Sequence, residues 1–221
     1  MLFNKKKYSE ICEFSEICAK KNDILPAKII AVTKTHPVAT VKEAIKGGIK
    51  HFGENRVQEA HNKFKDLNII HKDIFLHMIG SLQTNKVKRA LEIFHFFHSL
   101  DRQSLALEFS KYPFITQSKL FFIQVNTGKE KQKSGILPNL ASEFIQHCIH
   151  ALKLNVIGLM CLPPTQDDPR PHFLMLKELA FKNKLKQLSM GMSTDYKIAV
   201  DSGATFIRIG SSFFGDKESA T

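Results

Sequence analysis

The stretch "KIIAVTKTHP", residues 28–37, decides the fold. Its apolar run from Ile29 to Val32 has the length and β-branched content of a buried strand. An open doubly wound sheet usually announces itself by a Gly-rich turn after its first strand. Here the run ends instead in Thr33, Lys34, Thr35, His36 and Pro37. A lysine therefore stands at the mouth of an apolar strand, where a glycine turn would otherwise sit.

The same kind of run recurs along the chain: "IKHFGEN" (49–55), "IFLHMIG" (74–80), "FHFFHSL" (94–100), "KLFFIQVNTG" (119–128), "NVIGLMCL" (155–162), "QLSMGM" (187–192) and "FIRIG" (206–210). Between them lie stretches with helical spacing. "VATVKEAIKGG" brings Val38, Val41 and Ile45 to one face and ends in glycines. "RVQEAHNKFKDL", "LPNLASEFIQHCIHAL" with Pro138 near its start, "RPHFLMLKELAFK" and "STDYKIAVDSG" follow the same logic. A helix over about residues 4–21 precedes the first strand. Strand alternating with helix predicts a parallel sheet. Eight such units point to a closed (β/α)8 barrel, although 221 residues is near the short end for it. No linker or shift of composition divides the chain, so one domain, 1–221, is expected.

Hydrophobic residues make up 43% and charged residues 24%, values ordinary for a folded globular chain. The formal charge of +11 could serve an anionic partner. It comes, however, from 27 lysines and 5 arginines scattered along the chain. A solvated lysine surface is the expectation, not a nucleic-acid reader, which concentrates arginine. Cys12, Cys18, Cys148 and Cys161 have no CxxC spacing, and the opening "MLFNKKKYSE" carries no apolar leader. Free thiols and a cytoplasmic location are expected. No apolar run reaches about 18 residues, so no membrane span is expected. The chain is expected to be a monomer.

In a barrel the site lies at the C-terminal strand ends. Lys34 shares strand parity with Ile30 and Val32. If that face lines the barrel, its ammonium enters a desolvated site, where the neutral, nucleophilic amine is favoured. "GMSTD" (191–195) and "IGSS" (209–212) follow the last two strands, with Ser193 or Thr194 a candidate helix N-cap. Loops at these two positions are the recurrent phosphate site of such barrels. Arg208 interrupts an apolar strand, and a buried cation needs a partner. A reactive lysine, a phosphate cradle and a cation between them fit pyridoxal 5′-phosphate, which offers an aldehyde, a phosphate and a pyridine nitrogen.

Other signals fail. "NTGKEKQKSG" (126–135) has Gln132 where a P-loop needs glycine before Lys133-Ser134. His95 and His98 face opposite sides of a strand. His147 and His150 sit together on a helix, but no carboxylate or cysteine set completes a metal site. "NKVKR" (85–89) reads as a solvated helix start.

The motifs "AVTKTHP", "HFGENRVQE", "HMIGSLQTNK", "KSGI", "GLM" and "LSMGMSTDYKIAVDSGATFIRIGSSFFG" span about residues 29–215. Through them the sequence resembles the pyridoxal-phosphate homeostasis protein family (the YggS/PROSC type). The resemblance implies a barrel like the N-terminal domain of alanine racemase, of fold type III among pyridoxal-phosphate proteins. It implies Lys34 as the Schiff-base lysine. Asn55, His77 and Met160 would line the cofactor. Ser193, Thr194, Gly210 and Ser211 would hold its phosphate, and Arg208 would face the pyridine nitrogen. Leu76 stands where the family often has tryptophan, and the loop "PPTQDDPRPHF" looks short.

An arginine facing the pyridine nitrogen keeps it unprotonated, which weakens the ring as an electron sink. In the racemases that share this fold, a tyrosine from a second domain supplies the other catalytic face. Only "FGDKESAT" follows Ser212-Phe213, so no second domain is expected. Tyr8, Tyr112 and Tyr196 have no evident claim to that role. The expectation is a protein that buffers pyridoxal phosphate or hands it to apo-enzymes. A weak racemase or lyase is the alternative.

Overall fold

All eight apolar runs form strands because each is buried on both faces. That is the pattern of a parallel sheet covered by helices, and it explains why the runs lack polar alternation. The computed structural model describes residues 3–67, 72–130 and 132–215. Its strands are β1 (Lys28–Val32), β2 (His51–Glu54), β3 (Phe75–Met78), β4 (Phe96–Leu100), β5 (Leu120–Val125), β6 (Val156–Cys161), β7 (Gln187–Met192) and β8 (Phe206–Ile209). They close in chain order into a parallel barrel, with β8 returning to β1. Ile30 sits in register with His51 on one side and Arg208 on the other.

The described helices are α1 (Lys5–Asn22), α2 (Val38–Lys46), α3 (Val57–Phe64), α4 (Val87–Ile93), α5 (Gln103–Ser110), α6 (Pro113–Thr116), α7 (Pro138–Gln146), α8 (Pro169–Lys182), α9 (Tyr196–Asp201) and α10 (Ser211–Phe214). Asn4 caps α1 by accepting from Lys7 N at 3.0 Å, and Lys20 and Lys21 face its C-terminal dipole. Buried Ser15 ties α1 to the start of β1 by accepting from Ala27 N at 2.8 Å. α2 ends where expected, since Gly48 adopts φ +100. A π-turn, His147–Ala151, prolongs α7. α5 and α6, between β4 and β5, are not legible in the sequence, because their short spans repeat the apolar period too few times. Among the described residues no helix is long and apolar enough to cross a membrane.

Two apolar regions hold the barrel. The outer one packs strands against helices, with Phe52, Phe64, Phe97, Phe109, Phe121 and Phe173 fully buried. The inner one is a small cluster of Ile30, Phe96, Phe122, Met160 and Phe206 inside the strands. Barrel interiors usually carry branched aliphatics. Here the ring of Phe206 meets Phe96 at 5.8 Å and Phe122 at 5.5 Å.

Candidate cofactor site

The first wall of the mouth is the end of β1. The ladder continues one residue beyond the strand, with Thr33 N donating to Gly53 O at 3.0 Å. The chain then turns through Lys34 and Thr35, which takes φ +66, before His36 N donates to Thr33 O at 3.1 Å. Lys34 is exposed in this turn. The expected desolvation of its ammonium is therefore not met, because the strand stops at Val32 and the turn lifts the side chain clear of the interior.

A buried polar cluster fixes that turn. Lys63 of α3 donates to Thr33 O at 2.5 Å, to Glu54 Oε1 at 2.9 Å and to Glu59 Oε1 at 2.6 Å. The Thr33 hydroxyl donates to Glu54 Oε1 at 2.7 Å, and Thr35 N donates to Glu59 Oε1. Burial raises the Glu54 carboxyl above its ordinary range, and the Lys63 charge opposes that rise. For Glu59, burial also pushes upward, but the bonds from Lys63 and Thr35 more than offset it and the net direction is down. A lysine reaching a backbone carbonyl and two carboxylates pins the segment on both sides of Lys34. Sequence reasoning missed this cluster; Glu54 in a strand and Glu59 and Lys63 one helical turn apart were its only signal.

Next around the mouth stand Asn55 after β2 and Gly80 after β3. A Cβ on Gly80 would lie 2.6–2.9 Å from Asn55 atoms, so only glycine allows the two loops to meet. The cleft beside them, about 580 Å³, is lined by Asn55, Arg56, Gly80, Ser81, Lys86 and Arg89 among others. Asn126, after β5, turns inward to close its own loop: it accepts from Glu130 N and donates to Glu130 O and Lys133 O.

The loops after β7 and β8 lie side by side. Ser193 Oγ accepts from Gly210 N at 3.3 Å and from Ser212 N at 3.5 Å. Thr194 and Ser211 are exposed beside them. Neither Ser193 nor Thr194 caps α9 as expected. Asp195 is the N-cap, and its carboxylate accepts from Met192 N at 2.5 Å, which frees Ser193 to reach across. Gly191 takes φ +93, and a Cβ there would sit 2.5 Å from Ala199 Cβ. Gly210 abuts Val32, a Cβ at 210 falling 3.4 Å from Val32 Cβ, so the β8 loop adjoins the Lys34 turn.

Arg208 forms the floor. Buried, it donates to Ser189 Oγ at 2.7 Å and to Cys161 O at 2.9 Å. Burial lowers its pKa from the ordinary value; the nearby Cys161 and Asp195 act in the other direction. Among the described residues no carboxylate pairs with it. Below it, His98 Nδ1 lies 2.8 Å from Ser189 Oγ, His77 Nδ1 lies 2.9 Å from His98 Nε2, and His51 Nδ1 lies 2.9 Å from His77 Nε2. Burial is the main cause that holds His77 and His98 well below the ordinary histidine range and takes His51 down to about 4. No group of metal ligands gathers among the described residues. A larger cavity, about 1070 Å³, opens at the opposite face between Leu25, Lys28, Leu174, Lys177 and Phe181. It lies at the N-terminal strand ends, away from the polar groups described above.

The sequence matches the family model for the N-terminal domain of alanine racemase over residues 16–218. It is 39% identical over 204 residues to a pyridoxal phosphate homeostasis protein of Aquifex aeolicus, covering 87% of this chain and 88% of the relative. The protein of that name from Schizosaccharomyces pombe is 34% identical, with 86% and 84% covered. PipY of Synechococcus elongatus, solved with bound PLP, superposes with a TM-score of 0.75 at 32% identity, over 91% of this chain and all of that one. The chain belongs to the pyridoxal phosphate homeostasis protein family. Alanine racemase from Corynebacterium glutamicum, 16% identical with a TM-score of 0.71 over 94% of this chain and 60% of its own length, shares the fold.

In this barrel the mouth brings together Lys34, Asn55, Ser193, Thr194, Gly210 and Ser211, with Arg208 beneath them. His77 differs from the lining role that the resemblance implies. It has no exposed surface, both ring nitrogens are taken by other histidines, and Phe96 stacks on it at 4.2 Å. Met160 is likewise buried in the inner cluster. Sequence reasoning missed His51, His98 and Ser189; a polar side chain at an interior position of an apolar strand was the available signal.

Proposed function

We propose that this homeostasis protein binds pyridoxal 5′-phosphate across the barrel mouth, holds it on Lys34 as a Schiff base, and buffers it or delivers it to apo-enzymes. The observation that carries this reading is buried Arg208, a cation that among the described residues has neutral acceptors and no carboxylate paired with it, beneath a mouth that presents the exposed Lys34 amine and two adjoining N–H-bearing loops. A ligand that brings a neutral acceptor to the guanidinium and an anionic group to the two loops suits this arrangement. The donor set fits this cofactor. Bound there, pyridoxal phosphate supplies an aldehyde open to an amine and an electron-withdrawing ring.

Each residue then has a task. Lys34 would be the point of attachment, its amine replacing the aldehyde oxygen, which leaves as water, and its exposure would leave that bond open to water and to competing amines, as a reservoir requires. Ser193, Thr194, Gly210 and Ser211 hold the phosphate. Asn55 borders the ring, and Met160 lies below it. Arg208 donates to the pyridine nitrogen and keeps it unprotonated. The PLP-bound PipY structure and the names of the curated relatives support binding and homeostasis.

We infer holding in preference to turnover because an arginine at the ring nitrogen leaves the ring a poor electron sink. The tyrosines add no second catalytic face in this reading. Tyr8 packs on Phe213 with its phenol pushed up to about 12 by burial, and Tyr196 packs on Phe14. The chain acts as one cytoplasmic domain and as a monomer in this proposal.

Borohydride reduction of the reconstituted protein, followed by peptide mass spectrometry, tests the attachment. The label is expected on Lys34, with both label and visible absorbance band gone in Lys34→Ala. A label elsewhere, or none, overturns the reading. Clear racemisation in chiral analysis of amino acids after long incubation overturns the holding role.

A further inference from the structure

Arg208 stands at the head of a single file of polar side chains that crosses an aromatic interior. The file draws one residue from each of five strands: Arg208 of β8, Ser189 of β7, His98 of β4, His77 of β3 and His51 of β2. Four of them are buried, and His51 is half-buried. Phe96 stacks on His77 at 4.2 Å and 10°, and Phe122 stacks on His98 at 4.3 Å and 15°, so neighbouring rings fix the imidazole planes. Every link measures 2.7–2.9 Å.

The direction of the file follows from its head. A guanidinium can only donate. Ser189 Oγ accepts from it, and the hydroxyl proton then needs an acceptor. Among the described residues the other polar partner of Ser189 is His98 Nδ1. Were Nδ1 protonated, the Ser189 hydroxyl proton would be buried without an acceptor, which is costly. His98 Nδ1 is therefore bare and its proton sits on Nε2, directed at His77 Nδ1. The same step repeats: His77 carries its proton on Nε2, directed at His51 Nδ1, and the His51 Nε2–H is left at the far end. Each ring is neutral in this arrangement, in keeping with its burial.

We propose that these residues form one polarised hydrogen-bond chain in which Arg208 sets the tautomer of all three histidines, and through which Ser189 and His98 position Arg208 for the cofactor's ring nitrogen. Ser189 and His98 are positioning residues, acting on the cofactor through Arg208. With Ser189 Oγ and Cys161 O both accepting hydrogen bonds from its fork, the guanidinium is held from below and its remaining N–H groups are left for the mouth. This role towards the ring rests on the pyridoxal-phosphate reading; the tautomer assignment does not.

Long-range ¹H–¹⁵N NMR of histidine-labelled protein without cofactor reads the tautomers directly. His51, His77 and His98 are expected as Nε2–H at neutral pH. An Nδ1–H form or an imidazolium at His77 or His98 overturns the proposal. The two ends should respond unequally. Ser189→Ala cuts the link to Arg208 and lets His98 and His77 mix tautomers, whereas His51→Phe, whose ring can still stack on Phe75, leaves both as Nε2–H. The reverse pattern overturns the proposal, and His51→Phe tests it even if Ser189→Ala does not fold. After reconstitution with pyridoxal phosphate, Ser189→Ala should keep borohydride-trapped attachment at Lys34. Its absorbance band should shift and its cofactor should leave about tenfold faster, with Ser189→Thr restoring both. Unchanged band and release in Ser189→Ala overturn the positioning role. A wild type that takes up no cofactor, but shows the expected tautomers, overturns the cofactor reading and leaves the tautomer assignment standing.

Discussion

The mouth and the interior of this barrel handle polar groups in opposite ways. At the mouth, Lys34, Thr194 and Ser211 are exposed, and Ser193 shares its Oγ between two backbone donors. In the interior, His77, His98 and Ser189 have no exposed surface, and each is bonded on both sides to another side chain. The difference shows where each region spends its order. Polar groups inside must satisfy one another because water cannot reach them. At the mouth Lys34, Thr194 and Ser211 face solvent, and Lys63, Glu54 and Glu59 hold the backbone on both sides of Lys34.

The comparison can be broken from either side. The largest effect is qualitative: Lys34→Ala removes covalent cofactor attachment altogether, while its urea midpoint moves little, since an exposed side chain away from packing changes stability by about 0.5 kcal/mol or less. In the interior, Phe206→Ala deletes a ring that touches Phe96, Phe122 and His77, and urea unfolding should show a loss of about 3–5 kcal/mol. Lys63→Ala strands Glu54 without its cation and should cost a similar amount, about 3–5 kcal/mol. Unlike Phe206→Ala, it should also loosen the Lys34 turn, read as faster amide exchange at Thr35.

Acid should sharpen the contrast further. The folded state keeps His77 and His98 neutral, whereas the unfolded chain protonates them below about pH 6.5. The unfolded state then binds more protons, so stability falls as pH drops from that value. The two rings together should cost about 2 kcal/mol between pH 6.5 and 5.5. Glu54 works in the other sense. Its raised carboxyl pKa lets the fold bind an extra proton above the ordinary carboxylate range, so its contribution declines as pH rises through that window. A urea midpoint that stays flat from pH 7.5 to 5.5 would contradict the neutral interior. The smallest effect belongs to the mouth: Ser193→Ala should weaken cofactor retention roughly three- to tenfold with the absorbance band unchanged, as for one lost hydrogen bond to a phosphate.

Much of the fold was legible because a parallel strand buried on both faces reads as an unbroken apolar run. All eight runs became strands, and α1, α2 and α8 fell within a residue or two of their expected spans. The helices between β4 and β5 were not legible, being too short to repeat a period. At the site, the candidates at the C-terminal strand ends were visible as residue types after each run. Their environments were not. Lys34 shares parity with Ile30 and Val32, yet the turn carries it out of the interior. His77 sits before Gly80 in sequence, yet its ring points to other histidines.

The sequence by itself determined the strand–helix rhythm, the order of the units, and which residues stand at the C-terminal ends of the strands. These follow from local chemistry: apolar runs, turn glycines and helical spacing. Only the tertiary structure decided that Ser193 reaches the β8 loop, that Lys63 lies under the Lys34 turn, and that three histidines from three strands meet in line below Arg208. Barrel closure and strand register set those meetings. Residues far apart in the chain become neighbours through β8 returning to β1, and no local pattern records which side chain will face which across the interior.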